Sequence, residues 1–423
     1  MPVNTVPRMK PLRVHGTVVP EIDDSFSPQA IDYVGNIMMN GLSCPFTWNA
    51  FIPPNPEDVA ILVDRLPLAS SDWESMIQKC HLAFIFSSIY QHEKASALIS
   101  ECFMPLLEVP GLETDDVMPR EYRQAWRYLL DSTSAFIRKT KCEDYEDRHI
   151  LYEFVKTIPW IDHLNNKQKA AIFAIRSRCI GYPESESWIR EALKLNSEEG
   201  LWHYYLAETL HEAVESGFMK LGGKTRHDAL EDVLRHNQIA LSLRGDTPEP
   251  YFLMANLLVQ FGDPKASQKS YICVQNAIKQ FPNNAWVHEK AAEILQQSQP
   301  SFSFMPKSYL LIEPFYKKAL KLAGKDCLSL RHNLGKHQVM FGQLKIENYE
   351  GIHDEGIKNL ELASKLIPDA YIHLQAARQG KLTPSSVGLA PFLFREEYCS
   401  SEESQPESKS LKKKNKSKKK KKR

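Results

Sequence analysis

The stretch REYRQAWRY combines residue types that bind single-stranded nucleic acids. Arg123 and Arg127 are four residues apart and share one face of a predicted helix, and Trp126 lies beside Arg123 at a spacing of three. A guanidinium group can bind a phosphate, and an indole ring can stack on a base. The alternative is an ordinary surface on which the arginine stems cover apolar area. We therefore treat Arg123, Trp126 and Arg127 as candidate RNA-binding residues.

The stretch LRHNLGKHQ is a second candidate site. It places Arg331, Lys336 and His337 on one predicted helix, together with His332. A basic groove for a phosphate or an acidic peptide is one interpretation of this pattern. A solvated helix face is the other, and the sequence does not separate the two.

The stretch LSCPFTWNAF surrounds one hydroxyl group with aromatic rings. Phe46 and Trp48 flank Thr47, and Cys44 lies just before them. Large aromatic side chains dominate protein cores, which favours a core plug. The alternative is a hydroxyl that the rings hold in place for a ligand.

No catalytic or metal-binding motif is present in the sequence. The 14 histidines form no HExxH, the eight cysteines form no CxxC, and no GxSxG occurs. We therefore expect a non-enzymatic protein that needs neither a metal nor a cofactor.

Charge is distributed very unevenly along the chain. The segment 409–423 holds 11 basic and no acidic residues, which leaves 42 basic and 52 acidic residues in 1–408, a net charge of −10. A nucleic-acid site must therefore be a local pocket or the tail itself. A lysine-rich tail is typical of a nuclear or nucleolar address or of a tether for polyanions, and a passive solubilising tail is the alternative.

The sequence gives no sign of export or of a membrane span. It has no apolar run of membrane-spanning length and no secretory h-region. We expect a cytoplasmic protein, with the tail as a candidate nuclear or nucleolar signal, no membrane partner, and thiols that lie mostly in cores.

Five segments repeat an alanine on an apolar helix face, followed by a turn. These alanines are Ala192, Ala240, Ala277, Ala319 and Ala363, at spacings of 48, 37, 42 and 44. A small residue lets a neighbouring helix approach closely. The pattern resembles the tetratricopeptide repeat with irregular insertions. Because glycine is also scarce, we predict an all-α, right-handed superhelix of tetratricopeptide-like helix pairs.

The composition along the chain predicts four parts. Residues 1–30 are expected to be loose, and 31–158 to form an N-terminal helical subdomain. Residues 159–385 are expected to form the repeats. Residues 386–423 are expected to be a disordered lysine-rich tail, since they cannot bury enough apolar surface to fold.

Three short motifs occur in the order found in one known family. CPFTWN begins at Cys44, an Ala-Trp pair lies at Ala125–Trp126, and WVHEKAA covers Trp286–Ala292. Over roughly residues 30–380 the chain resembles the interferon-induced proteins with tetratricopeptide repeats. The resemblance implies binding of single-stranded RNA by its 5′ end in a channel of the superhelix, as part of innate antiviral defence. It also implies complexes with other proteins, including homo- or hetero-oligomers.

The resemblance also assigns roles to individual residues. It implies that the Thr47 hydroxyl contacts terminal phosphates, that Trp126 stacks near the RNA end, and that Trp286 is an aromatic residue of the channel. This chain departs from the family at Glu289, where the family has an arginine. A carboxylate that faces a phosphate is repulsive.

Two functional hypotheses follow from these features. The first is a non-enzymatic antiviral RNA-binding protein, supported by the ordered motifs and by the Arg/Trp helix. The second is an adaptor whose groove binds peptides or partner helices and whose tail alone contacts RNA. The acidic body and Glu289 favour the adaptor.

Overall fold

A computed structural model describes most of the chain between residues 12 and 382. The described residues are 12–14, 17–19, 28–53, 55–106, 119–217, 226–243, 247–261, 266–298, 306–324, 326–342 and 351–382. The predicted lysine-rich tail, 386–423, lies outside them.

The described part of the chain is built almost entirely of α-helices. They are α1 (Pro28–Asn40), α2 (Pro56–Arg65), α3 (Asp72–Ser88), α4 (His92–Phe103), α5 (Arg120–Lys139), α6 (Tyr145–Thr157), α7 (Asn166–Cys179), α8 (Glu184–Leu195), α9 (Gly200–Glu215), α10 (Arg226–Leu243), α11 (Glu249–Phe261), α12 (Ala266–Gln280), α13 (Ala285–Ser298), α14 (Pro306–Ala323), α15 (Leu328–Gly342), α16 (Ile352–Ala363) and α17 (Pro368–Arg378). The predicted all-α superhelix of tetratricopeptide-type helix pairs is confirmed.

Two short strands precede the first helix. They are β1 (Leu12–Val14) and β2 (Thr17–Val19), which pair antiparallel with Leu12 opposite Val19. This hairpin and the start of α1 at Pro28 lie within 1–30, where the sequence predicted a loose segment.

Polar side chains mark where several helices begin. The Asp144 carboxylate accepts a hydrogen bond from the Asp147 backbone N–H at 2.8 Å at the start of α6. At the start of α7, Asn165 and Gln168 each accept a bond from the other's backbone N–H, both at 3.0 Å. These contacts satisfy N–H groups that have no partner within the helix.

Successive helices pack as pairs, and the repeated alanines lie between them. The pairs are α7–α8, α9–α10, α11–α12, α13–α14 and α15–α16. The alanines predicted at these interfaces all lie on the second helix of a pair and are at most 1% exposed. In the last pair a Cβ on Gly335 would lie 3.0 Å from the Gly356 carbonyl oxygen. The predicted close packing is confirmed.

The apolar core is continuous in the first half of the protein and divided in the second. One cluster runs from α1 to α11, and at its centre Trp73 contacts Trp126, Tyr122 and Trp202 with ring centroids 5.1, 5.6 and 5.7 Å away. The later repeats hold smaller separate clusters, such as the one around Phe252. Five of the cysteines are buried, as expected: Cys44, Cys80, Cys102, Cys179 and Cys327.

Candidate functional site in the interior of the superhelix

Helix α2 crosses from the N-terminal half to the inner helices of the C-terminal repeats. The Asp64 carboxylate accepts hydrogen bonds from the backbone N–H groups of Leu328 and Ser329, both at 2.8 Å. Asp64 therefore caps the start of α15 from a helix more than 260 residues away in sequence. On the same helix, Ile61 packs against the cluster of Ala363 and Ala370.

The next residue of α2 neutralises the carboxylate predicted to face the channel. The Arg65 guanidinium donates to both carboxylate oxygens of Glu289 on α13, at 3.0 and 3.3 Å. The Asn333 side chain donates to the same carboxylate at 3.2 Å. Glu289 has no exposed surface; burial raises its pKa, and the Arg65 charge opposes that shift. Glu289 is thus a structural anchor for α2 in this structure.

The basic residues predicted on α15 contribute less positive charge than the sequence suggested. His337 is buried with its Nδ1 2.8 Å from the Gln296 amide nitrogen, and burial lowers its pKa to about 4. Burial also lowers the pKa of Lys336, although the carboxylates of Glu293 and Asp369 act in the opposite direction. His337 is therefore neutral at pH 7, and Lys336 lies among carboxylates.

Two further predicted residues lie on the same inner helices. Arg331 donates to the Asn359 side chain at 3.0 Å. Trp286 is half-buried and packs edge-on against Phe252, with ring centroids 5.2 Å apart. Arg331 and Trp286 are thus both engaged by other side chains of the protein.

The CPFTWN stretch forms a 3₁₀ turn over Pro45–Thr47 that closes on itself. The Thr47 hydroxyl accepts from the Cys44 backbone N–H at 3.1 Å and lies 2.9 Å from the Leu42 carbonyl, to which it donates. Trp48 is 2% exposed, and Phe46 packs against the core. This geometry matches the core-plug interpretation, because the hydroxyl already has both a donor and an acceptor.

Helix α5 separates the aromatic and basic residues of REYRQAWRY. Trp126 has no exposed surface and packs edge-on against Trp73. The Arg127 side chain is 68% exposed and pairs with Asp131 at 3.4 Å, and Arg123 is half-buried. The structure does not place the indole and the Arg127 guanidinium on one accessible face. Stacking of a base on Trp126 would require the surrounding helices to separate.

A cluster of carboxylates around one arginine was not anticipated from the sequence. Arg178 at the end of α7 pairs with Glu74 of α3 at 3.2 Å and with Glu208 of α9. The hydroxyl of Tyr204 donates to Glu208 at 2.7 Å, and that of Tyr205 donates to Glu74 at 3.1 Å. Helices α3, α7 and α9 thus contribute to one polar cluster, which we call the Arg178 cluster. It contains Arg178, Glu74, Glu208, Tyr204 and Tyr205.

A further carboxylate, Glu249 at the start of α11, completes the Arg178 cluster. It is 5% exposed, and the Ser70 hydroxyl donates to its Oε1. Its Oε2 is buried and has no hydrogen-bond partner. Burial raises the pKa of Glu249 to about 7, and the charges of Glu74 and Glu208 act in the same direction. The cluster therefore holds three carboxylates against one guanidinium.

A signal for the Arg178 cluster does exist in the sequence. Glu208 interrupts the apolar run LWHYYLAETLHEA of α9, and Arg178 interrupts the small and apolar residues of α7. Charged residues are almost never fully buried unless they are paired. Glu74 and Glu208 lie 104 and 30 residues from Arg178, so the sequence could indicate a buried pair without identifying it.

An apolar recess lies on the side of α2 away from the repeats. It has a volume of about 490 Å³ and is lined mainly by α2, α3 and α4, including Val59, Val63, Phe86 and Leu98. Helix α2 is therefore covered by the repeats on one side and borders an open apolar cavity on the other.

The described residues hold neither a metal-binding cluster nor a membrane-spanning helix. No group of three or more histidine, cysteine or acidic side chains there is arranged to hold a metal ion. None of the described helices is both long and apolar enough to cross a membrane.

Comparisons with solved structures find the same fold in human IFIT1. The dimer of human IFIT1 with m7Gppp-AAAA matches over 86% of this chain and 77% of that one, with a TM-score of 0.56 and 16% identity. A monomeric IFIT1 mutant with m7Gppp-AAAA gives a TM-score of 0.57 at 16% identity, over 86% of this chain and 78% of that one. The IFIT1 dimer with PPP-AAAA gives 0.54 at 15% identity, over 86% and 77%.

Comparisons by sequence give no match. No family model and no curated protein matches the chain. At 15–16% identity, the likeness to IFIT1 concerns the fold alone. The resemblance to the interferon-induced proteins with tetratricopeptide repeats is confirmed at the level of the superhelical fold.

Proposed function

We propose that this protein is a non-enzymatic adaptor that binds a segment of another protein inside its superhelix and contacts RNA through its lysine-rich tail. The observation that carries the proposal is the charge of the interior. The Arg178 cluster has more carboxylates than cations, and the guanidinium of Arg65 is already bound to Glu289. Such a surface repels a 5′ phosphate and attracts a basic protein segment.

The tail supplies what the interior lacks for RNA binding. Its 11 basic residues can each neutralise a phosphate and release a counterion, so binding through the tail is nonspecific and falls steeply with salt. The same segment is a candidate nuclear or nucleolar address, so we propose a cytoplasmic protein that the tail can direct to the nucleus or nucleolus.

Crosslinking in cells tests the proposal. Two chains are compared: the full protein and a version that lacks residues 409–423. We expect RNA crosslinks to map to the tail and to disappear with it, while protein crosslinks on α9, α11 and α13 persist. RNA crosslinks that remain on these inner helices after the deletion, enriched in 5′ ends, would contradict the adaptor proposal.

A second candidate function is RNA binding of the innate antiviral type inside the superhelix. The observation that favours it is the exposed Arg127 guanidinium on α5, with Arg123 one turn away. Under this proposal Arg127 and Arg123 contact the RNA backbone, and homo- or hetero-oligomers shape the rest of its binding site. Loss of RNA affinity on Arg127→Ala in the chain without residues 409–423 would support it.

A further inference from the structure

We propose that the Arg178 cluster is a binding subsite for one cationic side chain, an arginine or a lysine, presented by a protein segment inside the superhelix. This inference deepens the adaptor function and rests on it. The ligand chemistry is a guanidinium or an ammonium group, which enters beside the unpartnered Oε2 of Glu249.

Carboxylates outnumber cations in the Arg178 cluster. Glu74 and Glu208 both pair with Arg178, and Glu249, from a third helix, lies within range of their charges. Carboxylates that share a poorly hydrated site destabilise one another's charged forms. The excess negative charge can be relieved in two ways: a carboxylate can hold a proton, or the site can accept a second cation.

Glu249 has unsatisfied hydrogen-bonding capacity. One of its oxygens accepts from the Ser70 hydroxyl, whereas Oε2 is buried and has no partner. An unmade hydrogen bond at a buried polar atom costs free energy, so a donor brought by a ligand is favoured there.

Solvent reaches the Arg178 cluster at two of its residues. The side chains of Arg178 and Glu208 are 22% and 24% exposed, although Glu249 itself is buried. A long arginine or lysine side chain can therefore enter at these two residues and extend towards Glu249. A phosphate on the same path would meet three carboxylates.

The probe for the test is the peptide acetyl-Gly-Arg-Gly-amide. Its control is the same peptide with citrulline in place of arginine, which has a similar shape and no charge. Both are titrated by calorimetry into the full chain and into its Glu249→Gln variant, which keeps the size and most hydrogen bonds of the side chain. Glu191→Gln, at a residue of α8 whose side chain is 46% exposed, is the matched control.

We expect the wild-type protein and Glu191→Gln to bind the arginine peptide and not the citrulline peptide. Glu249→Gln should weaken binding at least about tenfold, which corresponds to ~1.4 kcal/mol. Binding to the wild type should also release a proton when the pH lies below the Glu249 pKa of about 7, seen as a dependence of the heat on the buffer. A purely structural glutamate would not give this signature.

Two results would overturn the inference: equal binding of the two peptides to the wild type, or unchanged arginine binding in Glu249→Gln. If protein crosslinks on α9, α11 and α13 persist while either result holds, the adaptor function stands and only the cation subsite fails.

The chain without residues 409–423 identifies the source of the cation. Tighter binding of the peptide after the deletion would show that the chain's own lysines occupy the subsite. Unchanged affinity would assign the subsite to a partner's side chain. Both results support the subsite.

Discussion

The two halves of the protein are stabilised in different ways. The N-terminal half has one continuous apolar core in which Trp73, Trp126 and Trp202 touch. The C-terminal repeats have small separate clusters and are joined to α2 by the polar contacts of Asp64 and Arg65 and by the apolar contact of Ile61. Trp126, predicted to stack on RNA, thus lies in an apolar core. Glu289, predicted to face an open channel, lies in an ion pair with Arg65.

The largest effect is expected from Trp126→Ala. Removing a fully buried indole from the aromatic core leaves a cavity and should cost about 3–5 kcal/mol in the free energy of unfolding. The matched change, Trp286→Ala, removes a half-buried ring from a small cluster and should cost clearly less. Urea unfolding of both variants measures the difference, and equal losses would break the contrast between the halves.

The second largest effect is expected from Arg65→Ala. The change leaves Glu289 buried without its cation, which should cost ~3 kcal/mol, the lower end of the range for such pairs because Arg65 is a third exposed. Hydrogen exchange should accelerate in α13 and α15 more than in α5. The double variant Arg65→Ala/Glu289→Gln should recover part of the loss. Unchanged exchange in α13 would show that α2 does not hold the repeats.

A smaller effect, dependent on pH, is expected from Glu249→Gln. The pKa of Glu249 in the folded protein is about 7, and an unfolded glutamate titrates near ~4.3. The folded state therefore binds the proton more tightly, so this stabilisation is present below pH ~4.3 and is lost as the pH rises through about 7. Burial and the charges of Glu74 and Glu208 raise this pKa, and the hydrogen bond from Ser70 opposes them.

The variant Glu249→Gln cannot ionise, so it does not lose stability as the pH rises through the Glu249 pKa. Above the pKa it should exceed the wild type in stability by on the order of 2 kcal/mol, and the advantage should shrink at acid pH. Urea unfolding at about pH 5 and about pH 8 measures this. An advantage that is the same at both values would mean that Glu249 does not titrate between them.

The smallest effect is expected from Arg127→Ala. Its guanidinium is largely exposed, and a surface pair four residues apart contributes only about 0.3–0.5 kcal/mol. Thermal melting should therefore hardly change, in contrast to the neighbouring Trp126→Ala. A large fall in the melting temperature would show that the outer face of α5 is packed against something.

The sequence predicted the parts of the fold that depend on local periodicity. Ala240 and Ala319 marked helix interfaces because a small residue that recurs at the same place in each helix pair lets the neighbouring helix approach closely. The aromatic residue Trp126 was harder to interpret, since a ring that stacks on a base and one that fills a core look alike in sequence.

The candidate site depends on long-range pairing, which local patterns do not contain. Nothing near Arg65 indicates that its guanidinium binds Glu289, 224 residues later. The groups around Glu249 likewise come from distant parts of the chain. They are Ser70, Glu74 of α3 and Glu208 of α9, and they meet only once the superhelix has formed. Charged residues within apolar helix faces were the available signal, and they indicate burial without naming a partner.

The most direct test of the adaptor account is a pair of RNA titrations on the chain without residues 409–423. One RNA carries a 5′ triphosphate and the other, of the same sequence, carries a 5′ hydroxyl. Because the interior has an excess of carboxylates and its Arg65 is already paired, we predict weak binding and affinities that agree within about twofold. A preference for the triphosphate of about tenfold or more would contradict the account and would support RNA binding inside the superhelix.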